Sequence, residues 1–293
     1  MMAIHRTARA TRMILAALWL VLTASGLWAW GPETHNAVTR AAITALPADL
    51  HGFYKRNERL IIGLDNLPDM WRDTHRNQEG YHHFIDLDLL GTPPFDDIPR
   101  GYSAAERKYG RAKLLKVGVL PWAIQGRYLK LVTAMRRGDS EGIVIQSAIL
   151  AHYVADGQNP LHTTSEYNGR TSRQKGIHRR IEEGVADRFV FNWRLEPSHR
   201  AGIVPNVPDE IFHRLASSFA QVDAIYEADE AAAIADPIRR AEFMRVFTER
   251  MTPLATSQLQ AGSTLLADLY YTAWITAGKP KLPHKAAPLF WGR

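Results

Sequence analysis

The stretch EGIVIQSAILAHYVADGQNPLH, residues 141–162, carries the pattern that decides both the fold and the site. Its helical signal places His152 and Asp156 four residues apart, so both side chains project from one face and can reach one ion. Pro160 disfavours helical geometry for the residue before it, which predicts that the helix ends there and that the chain turns to bring His162 back. Two histidines and one aspartate therefore fall within eleven residues as a dense set of nitrogen and oxygen donors.

A second pair with the same spacing, His178 and Glu182, follows this stretch. The chain contains no cysteine, which excludes disulfides and thiolate sites, so any metal must be held by nitrogen and oxygen. Imidazole and carboxylate are the usual zinc donors in that case. One such pair alone is weak, because helices carry many as surface ion pairs. The combination is stronger, since the segments DMWR (69–72) and HHFID (82–86) precede it.

The remainder of the chain predicts an all-α, single compact multi-helix domain over residues 30–293. Strand alternation is scarce, and no composition break or repeat divides the chain. The predicted helices are 33–46, 104–137 with an interruption at Pro121, 141–158, 175–192, 208–228 and 237–277. The connections expected to be irregular, because they concentrate Pro, Gly and Asn, are 91–101, 163–174 and 196–208.

Residues 1–29 have the order of a secretory signal peptide, with three arginines and no acid before the apolar run 13–22. That run is shorter than the roughly 20 residues of a membrane-spanning helix, although an uncleaved anchor stays the alternative. Small residues favour cleavage after Ala29, while Leu27 is an unusual residue at the third position before the cut. The sequence therefore predicts a secreted or periplasmic protein that begins at Trp30.

The formal charge of the chain is +6, and removing residues 1–29 lowers it to +3. A surplus of this size can help to attract polyanions or anionic lipid, but it is small and scattered and identifies neither partner. Ordinary solubility is the favoured explanation of this surplus. No feature indicates an obligate protein partner, and a monomer is expected.

In combination, these motifs resemble the superfamily of zinc-dependent phospholipases C and three-zinc nucleases specific for single-stranded nucleic acid. The resemblance covers most of the chain from Trp30 to about Arg188 and implies three zinc ions. The implied ligands are Asp69, His83, His152 and Asp156 for the first zinc; His162, His178 and Glu182 for the second; and the amino group and carbonyl of Trp30, His35 and the shared Asp156 for the third.

Some of these assignments have alternatives. Residues of the same type compete nearby: His82 with His83, Glu183 with Glu182, and Asp65 or Asp73 with Asp69. The His-Phe-Ile-Asp match begins at His83, and the spacing of four from His178 favours Glu182. His35 could be a solvated residue of the first helix, but its distance of five from Trp30 matches the nuclease pattern.

The resemblance also implies residues that act on substrate. Two zinc ions roughly 3.5 to 4 Å apart can share a water and lower its pKa, and Asp69 is expected to orient this nucleophile as well as to bind metal. Arg72 stands where the nucleases place an arginine that contacts phosphate, with a surface ion pair as its alternative. Phe84 would stack on a base and Asp86 would bond its edge, unless Phe84 belongs to the core.

These features point to two different classes of substrate. The Trp30 to His35 spacing, the Asp-x-x-Arg and the His-Phe-Ile-Asp favour a nuclease acting on single-stranded nucleic acid. Glu182, the short span before His178, and Asn168 favour a phospholipase C acting on phospholipid head groups. The nucleases also usually carry Gly where this chain has Ala155. We therefore predict a zinc-dependent phosphodiesterase, with nuclease preferred, phospholipase C as the alternative, and a non-catalytic zinc-binding protein as a third reading.

Overall fold

A computed structural model describes residues 30–74 and 78–283. This part of the chain is a helical domain and contains no β-strand, which confirms the predicted all-α class. None of its helices is long and apolar enough to cross a membrane. The predicted signal peptide, residues 1–29, lies outside the described residues.

The helices, numbered along the chain, have the following bounds. They are α1 Pro32–Thr44, α2 Ala48–Leu64, α3 Leu67–Thr74, α4 Tyr102–Tyr109, α5 Arg111–Val117, α6 Leu120–Arg137, α7 Ser140–Asp156, α8, which begins as Ile177–Arg179 and continues as the π-helix Arg180–Asp187, α9 Val207–Phe219, α10 Val222–Ala235 and α11 Ala241–Thr276. Short 3₁₀ turns lie at Gly80–His82, Leu87–Leu89, Pro160–His162 and Val190–Asn192.

Helix α7 is the centre of the fold and packs against α1, α2, α6 and α11. Every residue from Ser147 to Asp156 is buried, as expected for a helix surrounded by protein on all sides. Gly138 ends α6 in a left-handed conformation, and Asp139 then caps α7 by accepting the amide hydrogen of Gly142 at 2.9 Å. This tight turn makes α6 and α7 antiparallel neighbours and sends the C-terminal end of α7 into the interior.

The prediction that Pro121 interrupts the 104–137 helix is wrong. Two glycines divide this region instead, Gly110 with φ +81° and Gly118 with φ +86°, both in conformations that L side chains rarely adopt. Pro121 lies in the first turn of α6, where the missing N–H has no helical partner to lose. The glycines produce the two short helices α4 and α5 before α6 begins.

Helices α2 and α3 were not among the predicted helices. The buried residues of α2, among them Leu50, Phe53, Tyr54 and Ile61, recur at spacings of three and four, which is the pattern of one helix face. Residues 208–228, expected as one helix, form parts of α9 and α10. The three predicted irregular connections are irregular in the structure, except where α9 begins at Val207.

Candidate metal centre

All nine residues predicted as metal ligands are buried, with exposed fractions between 0% and 8%. They come from five places in the fold: the start of α1, α3, the segment after the Gly80–His82 turn, the end of α7 with the turn that follows, and α8. Three groups of buried donors, two of which share His152, lie here and could each hold a metal ion. Histidines and carboxylates are therefore gathered where their charges need partners.

The first group joins the end of α7 to the segment after the first 3₁₀ turn. His83 Nδ1 lies 2.9 Å from Asp156 Oδ2 and 3.1 Å from His152 Nε2, and His152 Nε2 lies 3.3 Å from the same Asp156 oxygen. Asp69 Oδ1 approaches these two histidine nitrogens at 3.7 and 3.9 Å. Four donors about 2.0 to 2.1 Å from a tetrahedral zinc stand roughly 3.3 Å apart. The observed spacings fit that geometry.

The second group lies between the Pro160–His162 turn and α8. His162 Nε2 is 3.0 Å from His178 Nε2 and 3.2 Å from Glu182 Oε1, while His178 Nε2 is 2.7 Å from the same carboxylate oxygen. Asn159 donates a hydrogen bond of 2.7 Å to Glu182 Oε1, which fixes the orientation of the carboxylate in the manner of the residues that support metal ligands.

The third group contains His35 together with Asp69 and His152 of the first group. The His35 ring stacks on His152 at 4.1 Å between centroids, and its Nε2 lies 3.6 Å from Asp156 Oδ1. Asp156 therefore turns Oδ2 towards the first group and Oδ1 towards His35. The indole of Trp30 donates a 2.9 Å hydrogen bond to the carbonyl of Ala155, which holds the start of α1 against the end of α7.

Unsatisfied polar atoms concentrate at this centre. Buried polar groups normally have hydrogen-bond partners, and each one without a partner costs about 1–3 kcal/mol. The buried atoms that lack one here include both ring nitrogens of His35, both carboxylate oxygens of Asp69, His83 Nε2, His152 Nδ1, Asp156 Oδ1 and His162 Nδ1. This set of orphaned donors and acceptors fits bound cations, and the absence of thiolates suits zinc held by nitrogen and oxygen.

The protonation states of His35 and Asp156 favour metal binding. Burial, and then the neighbouring His152, lower the pKa of His35 well below its ordinary value, so the ring is neutral, which is the form that binds a metal. Burial alone would raise the pKa of Asp156, but His152 and His83 outweigh it and hold this pKa well below its usual range. Asp156 is therefore an ionised carboxylate in the interior.

The competing residues have other partners. His82 Nδ1 lies 3.3 Å from Glu79 Oε2, and His82 belongs to none of the three donor groups. Glu183 pairs with Arg179 at 2.7 Å on the surface. The remaining carboxylate, Asp65, accepts hydrogen bonds from Thr39 and Asn66. The side chain of Asp73 lies outside the described part of the structure.

The π-helix that carries Glu182 is a feature that the sequence analysis missed. Single-turn π segments are frequent at functional sites. This π-helix is longer than a single turn and spans Arg180–Asp187. His178 lies in the α-helical turn that precedes it. The predicted pair at a spacing of four is therefore brought together at the junction between two helix types, and no pattern in the sequence announces the change.

A pocket of about 270 Å³ opens beside the donor groups. Its lining residues are Arg72, Gly80, His83, Phe84, Asp86, Leu161, His162, Thr164, Tyr167 and His178. Phe84 is half-buried and lies outside the hydrophobic core cluster, so the structure places it in the pocket wall. Tyr167 was not predicted; its ring meets His178 edge-on at 5.7 Å and is 42% exposed.

The segment with Phe84 is held by backbone contacts. Ile85 donates to the carbonyl of His162 at 2.8 Å, and Asp86 donates to Val117 at 2.7 Å. A Cβ atom on Gly118 would stand 2.0 Å from the carbonyl oxygen of Phe84, so only glycine permits this approach. The pocket wall therefore depends on Gly118, which the sequence analysis did not single out.

Arg72 and Asn168, both predicted to contact substrate, differ in their position relative to the pocket. Arg72 lines the pocket, and its Nη2 lies 3.3 Å from Asp69 Oδ1, so it stands beside the donor groups. Asn168 is not among the residues that line the pocket. Its side-chain oxygen accepts the amide hydrogen of Gly176 at 2.9 Å and closes the loop that leads into α8.

No protein-family model matches the chain, and no curated protein matches it.

Proposed function

We propose that the protein is an exported zinc-dependent hydrolase of phosphodiester bonds that acts on single-stranded nucleic acid. The observation that carries the proposal is the convergence of three buried donor groups beside a pocket lined by Arg72, Phe84 and Asp86. The ligands would be the nine residues described above. Bound zinc ions would supply Lewis acidity and a low-pKa water near neutral pH.

The residues of the chain have separate roles in this proposal. Asp69 Oδ2 has no hydrogen-bond partner within the described structure, so this oxygen is free to accept a hydrogen from an incoming nucleophile. Arg72 Nη2 is buried and lies 3.3 Å from Asp69 Oδ1 without a hydrogen bond to it. Arg72 also lines the pocket, where its guanidinium can bind a phosphate oxygen. Fixed positive charge at that position stabilises the negative charge that develops during phosphoryl transfer.

The pocket favours a flat ring as the neighbouring part of the substrate. Its volume of about 270 Å³ lies just below the roughly 300–1,000 Å³ of ordinary ligand pockets, which suits one base. Phe84 offers an aromatic face, and stacking on such a face is worth about 1–3 kcal/mol per base. Burial, and then the neighbouring Asp88, raise the pKa of Asp86 to about 7, so this carboxyl can both donate to and accept from a base edge near neutral pH.

A phospholipase C is the second candidate, because the same pocket is lined mainly by apolar surface, to which Phe84, Leu161 and Tyr167 contribute. Glu182 as the last ligand also supports it by resemblance. Asn168, the third feature that favoured this reading in the sequence, closes a loop and does not line the pocket.

The test uses protein that begins at Trp30, purified without added metal, and assays single-stranded DNA, RNA, phosphatidylcholine and bis-p-nitrophenyl phosphate with and without a chelator. We expect chelator-sensitive cleavage of both nucleic acids and of the generic diester. Cleavage of phosphatidylcholine alone would replace the nuclease with the phospholipase, and inactivity on every substrate with metal bound would leave only a zinc-binding protein.

A matched pair of neighbouring glutamates controls the assay. Glu182 lies in the second donor group, whereas Glu183 is half-buried, lies outside all three groups and pairs with Arg179. We expect Glu182→Gln to lose both bound zinc and turnover, and Glu183→Gln to retain both. Equal effects of the two changes would show that the second group does not hold a functional metal.

A further inference from the structure

The positive surplus of the chain is not scattered, contrary to the expectation from its net charge, but concentrated in one region. Residues 107–137 contain nine Lys and Arg side chains and no Asp or Glu, which leaves the rest of residues 30–293 with a formal charge of −6. The nine cations are Arg107, Lys108, Arg111, Lys113, Lys116, Arg127, Lys130, Arg136 and Arg137. The net charge of the whole chain conceals this asymmetry.

These cations lack the acidic partners found elsewhere. Eight of the nine are exposed, Arg127 is half-buried, and none forms an ion pair with a carboxylate among the described residues. By contrast, Arg180 and Arg239 both bind the buried Asp229, and Arg245 pairs with two glutamates. An uncompensated group of exposed cations raises the local potential and attracts polyanions.

The five cations of α4 and α5, which we call the basic lobe, are Arg107, Lys108, Arg111, Lys113 and Lys116. The lobe connects directly to the pocket wall. Val117, at its end, accepts the amide hydrogen of Asp86 at 2.7 Å, and Leu120, just beyond it, donates to Phe84 at 3.2 Å. Lys116 is therefore next in sequence to a residue that contacts the pocket wall, and the other four cations precede it along α4 and α5.

The composition of the lobe favours a strand of phosphates over a membrane surface. A membrane-docking face combines cations with exposed apolar side chains that insert into lipid. None of the large hydrophobic residues that are exposed in the described structure lies in α4 or α5. Instead, Lys108 and Lys113 lie at 5.2 and 5.4 Å from the ring of the half-buried Tyr109, which holds two cations near each other as a surface that binds the backbone of single-stranded nucleic acid requires.

We propose that the basic lobe binds the phosphates of a single-stranded nucleic acid on one side of the bond being cleaved. This inference rests on the proposed function, because it assigns the lobe to the same substrate as the metal centre. It makes the enzyme prefer long strands over dinucleotides. It also makes that preference dependent on salt, since each phosphate contact releases counterions from the strand.

The test compares two double substitutions in the zinc-loaded protein. Lys113→Gln with Lys116→Gln removes two cations from the lobe. Lys130→Gln with Arg137→Gln removes two from the later part of α6, at least ten residues, or about 15 Å along the helix, beyond Leu120. The measurements are kcat/KM for a 20-nucleotide oligothymidylate and for a thymidine dinucleotide between 50 and 200 mM salt, with melting temperatures to verify folding.

For the lobe variant, we expect the ratio of the two kcat/KM values at 50 mM salt to fall roughly tenfold. The slope of log kcat/KM for the 20-mer against log salt should be less steep by about 1.4, since each single-strand contact contributes about 0.7. The α6 variant should match the unsubstituted protein in both quantities. A lobe variant that also matches it overturns the proposal.

Two further outcomes are distinguishable. If the unsubstituted protein cleaves neither the oligonucleotide nor bis-p-nitrophenyl phosphate with zinc bound, the proposed function fails, and the inference fails with it. If it cleaves both but the lobe substitutions weaken only binding to vesicles of phosphatidylserine and phosphatidylcholine, the lobe is a membrane surface and the inference alone is overturned.

Discussion

Asp187 Oδ1 lies 3.0 Å from the amide nitrogen of Thr34 and accepts its hydrogen. The same oxygen accepts the amide hydrogen of Glu33 at 2.8 Å. The last residue of the α8 π-helix therefore caps the first turn of α1, where Gly31 occupies the N-cap position and has no side chain to do so. This contact ties the helix that carries His35 to the helix that carries the second donor group.

Removing this cap should weaken both stability and metal binding. We expect Asp187→Ala to lower the free energy of unfolding by about 1–2 kcal/mol, which is the usual loss for an N-cap, and to lower zinc occupancy because His35 is less well held. Asp187→Asn keeps an acceptor oxygen and should lose less. Urea unfolding and zinc analysis measure the two effects, and identical results for Ala and Asn would show that the cap is unimportant.

The donor groups predict a specific zinc content. Protein beginning at Trp30 should retain close to three zinc ions per chain. The variant His35→Ala should retain about two, because His35 is a proposed ligand of only one of the three ions. Asp156→Asn should lose more, because the two oxygens of Asp156 face different groups. Elemental analysis of protein purified without added metal decides this. One ion or none in the unsubstituted protein contradicts a three-metal cluster.

The local part of the site could be predicted from the sequence. His152, Asp156 and His162 are close in the chain, and a helix followed by a proline-dependent turn is sufficient to bring them together. The structure agrees, because the Pro160–His162 turn returns His162 to within 3.7 Å of Asp156. For these three residues, their spacing along the chain is sufficient to predict that they lie close together in the site.

The long-range part of the site could not be predicted from spacing. Asp187 caps a helix that begins more than 150 residues earlier, and Gly118 admits the carbonyl of Phe84 from a different segment. Both depend on which elements become neighbours, which short sequence patterns do not encode. Helix α2 was missed although its apolar residues have helical spacing, because the interspersed polar residues Lys55, Asn57 and Glu58 weaken the signal.

Phe84 provides a test that separates base recognition from general catalysis. If a base stacks on its ring, Phe84→Ala should lower kcat/KM on single-stranded DNA by the equivalent of about 1–3 kcal/mol. Hydrolysis of bis-p-nitrophenyl phosphate should change little, because this substrate has no base. Phe191, which is 69% exposed and does not line the pocket, supplies the control Phe191→Ala. Equal losses on both substrates with a lower melting temperature would assign Phe84 a structural role.

Asp86 predicts a dependence of stability on pH. Its pKa is raised from 3.8 to about 7, first by burial and then by Asp88. Between about pH 4 and pH 7 the folded state therefore binds more protons at this residue than the unfolded state, so its contribution to stability falls as the pH rises through that window. Asp86→Asn cannot ionise and should raise the melting temperature more at pH 8 than at pH 5.

The exposed carboxylate of Asp97 provides the control for this experiment. Asp97→Asn removes an exposed carboxylate and is measured alongside as the matched change in charge. Zinc must be saturating throughout, because its ligands also take up protons as the pH falls. A pH-independent effect of Asp86→Asn would mean that the carboxyl is ionised over the whole range.

The proposed cleavage after Ala29 leads to the last prediction. Trp30 is completely buried against the end of α7, and His35 lies beside Asp156, so a free amino group at Trp30 would be held near the donor groups. Such a group has an ordinary pKa of about 7.7–8.0 and can lose its proton to bind a metal, whereas an amide nitrogen cannot readily do so. We expect a form extended by Ala29 to bind fewer zinc ions and to turn over far more slowly, with its fold retained.

Trp30→Phe keeps the amino group and carbonyl, so it should retain the third ion. N-terminal sequencing, circular dichroism and zinc titration of the forms that begin at Ala29 and Trp30 compare them directly. An extended form that binds three zinc ions and matches the shorter one in rate would show that Trp30 serves only as a buried aromatic.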